Sequence, residues 1–414
     1  MVKALFVDMS YDGRHVWLMR NTAPENATIL STLPSSSNIL QATVQQIRIH
    51  NRLESLLFAT TADRRLSILD VPECSLQSSH TTISDSPMLS CVAYKERFLL
   101  ISSMSGHLTL TDTYGKALDK RRDHAKYIVQ IALSPDSSLI ATAGWDNKIN
   151  IYTPSLASPS APVLGDPTST IDLPSKPESI LFTTHPESNE PILIISRTDS
   201  SSLHYYTTDA SPRLLGRQNL APHSNAWVAF TPSALALSPR DPSLLAVATS
   251  AVPSMKLLIV RLLIPPWDSA SSTTSSTPAP LLRTSLLDDS PSATETQASQ
   301  ARAALLVADR EHAAIQIHCT TLAPQTAYST PAVAWRPDGS GVWVNGDDGV
   351  VRGIEATSGK IVATLKGHEA GSKVRCLWAG WVGDDGSGDG GVWEEGEEWL
   401  VSGGFDQRLI VWKV

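Results

Sequence analysis

Two histidines, His124 and His368, each stand just ahead of an apolar run and are the residues most easily taken for general bases. A base needs a reacting group within hydrogen-bond reach, and the sequence offers neither a GxSxG elbow nor an HExxH zinc helix. Their place before strand starts predicts structural hydrogen bonding instead. Phosphate chemistry is no better served. Gly115-Lys116 and Gly359-Lys360 lack both the upstream glycine and the following hydroxyl of a phosphate loop. His312 and His318 are six residues apart, which is not a ligand spacing. The four cysteines, Cys74, Cys91, Cys319 and Cys376, contain no CxxC pair, which argues against a disulfide framework or a zinc site and favours a reducing compartment. The expectation is no catalytic residue, no metal and no cofactor.

The elements that carry these residues must come from a chain of 414 residues, 42% hydrophobic and 18% charged, enough apolar content for a large packed core. The formal charge of −8 argues against a dedicated nucleic-acid binder. The opening MVKALFVDMSYDG has too short an apolar run for a signal-peptide core. Without a secretory signal the Asn26-Ala27-Thr28 sequon reads as chance. The most apolar stretch, 243–267, is broken by Pro253, Lys256 and Arg261 and predicts two strands rather than a membrane span.

Two hairpins recur along the chain. In one, a tight turn of the Ser-Pro-Asp kind separates two apolar strands: LFVDMSYDGRHVWLM (5–19), IALSPDSSLIATAG (131–144), LALSPRDPSLLAVAT (235–249) and VAWRPDGSGVWVNG (333–346). In the other, a polar turn leads into a strand of alternating residues, as in LIATAGWDNKINIYT (139–153) and LVSGGFDQRLIVWK (400–413). The repeat ends at Asp70, Asp112 and Thr153 are 42 and 41 residues apart, the spacing of four-stranded propeller blades.

These residues resemble the WD40 repeat family. The best copy has Gly367-His368 ahead of a strand, then Ser402, Asp406 and Trp412. In the family such side chains form a hydrogen-bonded set tying three strands of one blade. His124, Thr142 and Asp146 make a second copy, with Tyr152 at the Trp position; Leu69 and Thr111 at matching positions cannot act as indole donors. Three-strand units are placed near 3–33, 43–70, 89–112, 128–153, 178–207, 234–263, 331–356 and 373–413. The resemblance thus implies an all-β, WD40-like β-propeller over 1–414, of seven or eight four-stranded blades. Ring closure would need an outer strand from the N-terminus, yet the first strand reads as innermost.

Insertions interrupt the period. Residues 154–177 read as a Pro/Ser-rich connection between blades, and 264–300 as a disordered low-complexity insertion. Residues 293–314 predict one short helix. Residues 378–400 predict an extended acidic, Trp- and Gly-rich hairpin loop, with Trp378 and Trp399 at strand ends and Trp381 and Trp393 facing across it. Its acids, Asp384, Asp385, Asp389, Glu394, Glu395, Glu397 and Glu398, account for all but about one of the formal charge of −8. Ser158, Thr277 and Ser290 precede prolines in the insertions and fit a phosphorylation pattern, whereas Ser134 and Ser238 belong to blade turns.

The family docks partners on the face where outer strands return to the channel, and the residue before the turn Asp points outward there. Those positions hold Trp145, Phe405, Ala62 and Asp347. Trp145 and Phe405 are the first candidates for partner anchors, with Lys126, Tyr127, Lys373 and Arg375 at adjoining strand starts; packing on a neighbouring blade is the alternative for both aromatics. The basic run Lys120, Arg121, Arg122, His124 and Lys126 reads either as a solvated blade edge or as a docking patch for an acidic partner. The expected function is a non-catalytic protein-interaction scaffold in a multiprotein complex, cytoplasmic or nuclear. It would bind proteins or peptides, with no membrane or specific nucleic-acid partner and an open oligomeric state. The alternative is a recognition subunit reading a modified or acidic peptide, of the ubiquitin-ligase or chromatin type. An enzyme using the channel ranks last.

Overall fold

The computed structural model describes residues 27–49, 52–71, 73–155, 162–267, 297–382 and 397–414. Seven four-stranded antiparallel sheets form the blades of one ring. In chain order, blade 1 runs from Ile39–Ile49 to Leu76–His80, blade 2 from Met88–Tyr94 to Ala117–Arg121, and blade 3 from Ile128–Leu133 to Ser169–Asp172. Blade 4 runs from Pro177–Thr184 to Leu214–Asn219, blade 5 from Pro232–Leu237 to Ile315–Pro324, and blade 6 from Val333–Trp335 to Ile361–Lys366. Blade 7 takes Val374–Val382, Glu397–Gly404 and Arg408–Lys413 from the end of the chain and Thr28–Pro34 from its beginning.

Burial follows position in the blade. The second strands, such as Phe98–Ser103 and Ile140–Gly144, are buried throughout because a neighbouring blade covers each face. Outer strands such as Leu76–His80 are mostly exposed and polar. The core is accordingly divided into seven apolar clusters, one in each gap between blades. Polar seams cross the same gaps. Gln41 and Gln45 of blade 1 accept from the Cys91 and Ala93 amides of blade 2, and Gln130 of blade 3 accepts from the Ile180 amide of blade 4 at 2.9 Å.

The ring count departs from the eight units read in the sequence. Thr28–Pro34 is not the third strand of a first blade; it pairs with Arg408–Lys413, from Thr28 opposite Lys413 to Pro34 opposite Arg408. The physical reason is the open edge of Arg408–Lys413, which would otherwise leave a row of unpaired amides and carbonyls. Leu33 also packs on the cluster between blades 7 and 1. The remainder of unit 3–33, with the hairpin at 5–19, lies outside the described residues.

The insertions are corrected likewise. Within 154–177, Ser169–Asp172 is a true strand, the outer strand of blade 3 paired with Lys148–Tyr152. The 264–300 segment falls between the third and fourth strands of blade 5; its last residues belong to an 18-residue helix, Gln297–Ala314, which lies within the 293–314 span read as helix. The rest, 268–296, lies outside the described residues together with Thr277 and Ser290, as does Ser158. The hairpin at 378–400 is strand as far as Val382 opposite Glu397, so Trp378 and Trp381 sit within a strand; Trp381 faces Glu398 across the ladder, and Trp393 lies outside the described residues.

At one end of the blades the Ser-Pro turns tie themselves: Ser134 donates to Asp136 at 2.6 Å and accepts from the Leu139 amide at 2.9 Å. At the other end six inner strands carry a register shift at their second residue, so that Leu40, Leu89, Val129, Glu178, Ser233 and Arg375 are extra residues in their ladders. A bulge of this kind re-aims a side chain.

Candidate interaction face

The face at the bulged end is built from two backbone pieces per blade: the start of the inner strand and the turn between second and third strands. One hydrogen bond joins them repeatedly. The amides of Ala62, Met104, Trp145, Thr198, Ser250 and Phe405 donate to the carbonyls of Asn38, Pro87, Tyr127, Lys176, Thr231 and Lys373. These turn residues therefore occupy equivalent places on the rim. In blade 6 the Asp347 amide donates to the Pro324 carbonyl instead.

Side-chain sets hold two of these turns. In blade 7, His368 Nδ1 meets Asp406 at 3.0 Å and its Nε2 meets Ser402 Oγ at 2.8 Å, while Trp412 Nε1 donates to Ser402 Oγ at 2.9 Å. Burial pushes the Asp406 carboxyl up, but the Glu369 amide and the His368 ring outweigh it and hold it below the usual carboxylate range. Burial pushes His368 down, against the pull of Asp406. In blade 3, His124 Nδ1 meets Asp146 at 3.0 Å and Nε2 meets Thr142 Oγ1 at 2.8 Å. Tyr152, however, does not stand in for the indole as a donor to the hydroxyl. Its hydroxyl donates to Asp123 at 3.2 Å, and Asn150 reaches His124 Nε2 at 3.3 Å. A Cβ at Gly144 or Gly404 would collide with the His–Asp pair of its own blade, which accounts for the glycine before each turn.

The candidate anchors differ in setting. Trp145 is half-buried: its ring centroid lies 4.4 Å from that of Tyr127, and Lys176 Nζ of blade 4 sits 4.0 Å above it. Phe405 is 40% exposed. Met104, at the equivalent place in blade 2, is 47% exposed and was not a candidate from sequence, because its turn lacks the aspartate that marks the others. Lys373 is paired with Asp347 at 3.1 Å, and Lys126 is exposed.

The basic run is largely neutralised. Lys120 lies 3.8 Å from Asp85, and Arg121 meets Asp123 at 2.9 Å and Asp166 at 2.5 Å. Arg122 and Lys126 alone of its lysines and arginines make no ion pair with a described residue. Two of the seven hairpin acids are likewise committed: Glu397 pairs with Lys413, and Glu398 is buried against Arg336. Among the described residues no group of three or more His, Cys, Asp or Glu side chains is placed to hold a metal, and no helix is long and apolar enough to cross a membrane. His312 stacks edge-on with His223, ring centroids 5.0 Å apart, and His318 lies on the outer strand of blade 5.

Tyr127, Glu178 and Arg375 stand at the starts of the inner strands of blades 3, 4 and 7, and both charged groups act on the tyrosine. Burial and the nearby Glu178 push the Tyr127 hydroxyl up to about 12, with Arg375 opposing. Burial raises Glu178 to about 7 against the pull of Lys176, and burial lowers Arg375.

Blades tied by His–Ser/Thr–Asp sets in a closed ring define a WD40-type β-propeller, a class that generally binds other proteins. A family model described as a beta-propeller domain matches residues 20–380, and the chain belongs to that family. The WD domain, G-beta repeat, matches residues 359–413, which hold His368, Ser402, Asp406 and Trp412. No curated protein matches the chain.

Proposed function

We propose that the protein is a non-catalytic interaction scaffold that holds segments of partner proteins on the rim bearing Trp145, Phe405 and Met104. The observation that carries this is the placement of two exposed apolar side chains, Met104 and Phe405, at equivalent turn positions on one face. Isolated apolar residues on a surface are ordinary. Apolar anchors repeated around a rigid rim, with a stacked Trp-Tyr-Lys group on the blades next to Met104, suit a partner segment laid across several blades.

The test is affinity capture with mass spectrometry from cells expressing wild type, Trp145→Ala, Phe405→Ala and Met104→Ala. A common set of partners should be lost from Phe405→Ala and Met104→Ala, with thermal unfolding close to wild type. Trp145→Ala should lose the same set at some cost in stability, since its ring packs on Tyr127 and under Lys176. Identical partner sets for all four proteins refute the assignment.

A further inference from the structure

We infer that the channel mouth on this face binds a carboxylate presented by a peptide, with Arg375 receiving it and Tyr127 beside it. This rests on the reading of the face as a partner-binding surface and names the chemistry that its centre would recognise.

The backbone directs Arg375 inward. Its neighbours Val374 and Cys376 belong to the clusters on opposite sides of blade 7, and Arg375 is the extra residue between them. A side chain turned out of both gaps points to the ring axis. Its electrostatic reach agrees: Arg375 acts on Tyr127, which stands three blades further round the ring.

Arg375 is also unpaired. It makes no hydrogen bond or ion pair with any described residue, although it is partly buried and burial lowers its pKa. Other arginines that are not exposed have partners, Arg197 among them, which donates to Ser175 at 2.8 Å and His204 at 3.3 Å. Arg336 meets Glu398 at 2.6 Å, Arg352 meets Asp348 at 2.6 Å, and Arg121 meets Asp123 at 2.9 Å. Glu178 does not serve Arg375 as partner: no ion pair joins them, and a carboxylate paired with a guanidinium would titrate below its ordinary value, not above it. A partly buried guanidinium that no protein group holds leaves its fork open to a carboxylate. Leu40 and Leu89, partly exposed at the matching bulges of blades 1 and 2, are the apolar positions that would take the aliphatic part of the same segment.

The test uses the full chain and an array of short random-sequence peptides. Each acidic peptide is printed beside its Asn/Gln counterpart, with free and amidated C-termini. Wild type should prefer acidic members over their amide counterparts by about 10- to 100-fold, the range for a hydrogen bond to a charged group. Arg375→Gln should erase that preference, Arg375→Lys should keep part of it, and Phe405→Ala should weaken acidic and amide members alike. Matched thermal unfolding of the variants separates lost recognition from lost fold. A preference that follows the free C-terminus instead of the side chain supports the same site with the chain end as the source. Equal binding of acid and amide members, or a preference that survives Arg375→Gln, overturns the Arg375 site and leaves the face reading standing. Absence of any peptide binding by wild type overturns both.

Discussion

Glu398 offers the sharpest physical test of how the ring is held at its last two blades. Its side chain is 4% exposed and accepts from Arg336 Nε at 3.0 Å and Nη2 at 2.6 Å, and from the Trp343 indole at 3.3 Å. Arg336 and Trp343 belong to blade 6 and Glu398 to blade 7, so one carboxylate joins two blades through their interior. Glu398→Leu keeps apolar bulk but strands Arg336, whose side chain is only 9% exposed. An uncompensated buried charge costs about 3–5 kcal/mol. The long indole bond adds about 1 kcal/mol, the low end for a lost acceptor. Asp338, 3.9 Å from Arg336, recovers part of the loss. The net expectation is about 4 kcal/mol of destabilisation. Combining it with Arg336→Met removes the stranded charge, and the pair should then lie within about 1–2 kcal/mol of wild type. Urea unfolding followed by tryptophan fluorescence and circular dichroism, with coincident transitions, measures all three. A cost under about 1 kcal/mol for Glu398→Leu, or a double variant that equals the sum of its singles, refutes the reasoning.

Glu178 makes stability depend on pH. Its carboxyl is raised by burial, against Lys176, from an ordinary 4.5 to about 7, so the native state holds the extra proton between those values. Its penalty is absent below pH 4.5 and complete once pH has risen through about 7. Glu178→Gln should therefore raise the urea midpoint above neutrality, with the gain fading towards pH 4.5; a gain independent of pH argues against burial as the cause. Deleting Thr28–Pro34 exposes the edge of Arg408–Lys413, and the protein should self-associate with rising concentration in light scattering. A monomer with the wild-type unfolding midpoint would contradict closure by that strand.

Much of the blade was legible because its signals are local. Strand alternation and Ser-Pro turns lie within a dozen residues, and the intervals from Thr142 to Asp146 and Ser402 to Asp406 follow from one hairpin geometry. Met104 was missed because its turn lacks the marker aspartate although its backbone bond to Pro87 is the same. The strand Ser169–Asp172 was hidden in a Pro/Ser-rich stretch, since an outer strand needs little apolar content. Tyr152 took the expected strand position but a different partner, because the acceptor Asp123 comes from the preceding loop.

What the sequence by itself determined is the repeating unit: short alternating strands and turn chemistry, products of contacts between near neighbours, and the two His–Ser/Thr–Asp sets, each spanning no more than one blade. What only the tertiary structure decided is the number of blades, the closure and which charges remain free. Those depend on residues brought together from afar, as when Thr28 meets Lys413 or Arg336 meets Glu398, 62 positions away. Glu398 was one of seven acids in an acidic run until the ring placed an arginine and an indole against it. Arg375 was one of several basic strand starts until a bulge turned it to the axis and left it unpaired. Charge along a chain is a property of composition, but whether a charge is satisfied is a property of the enclosure around it.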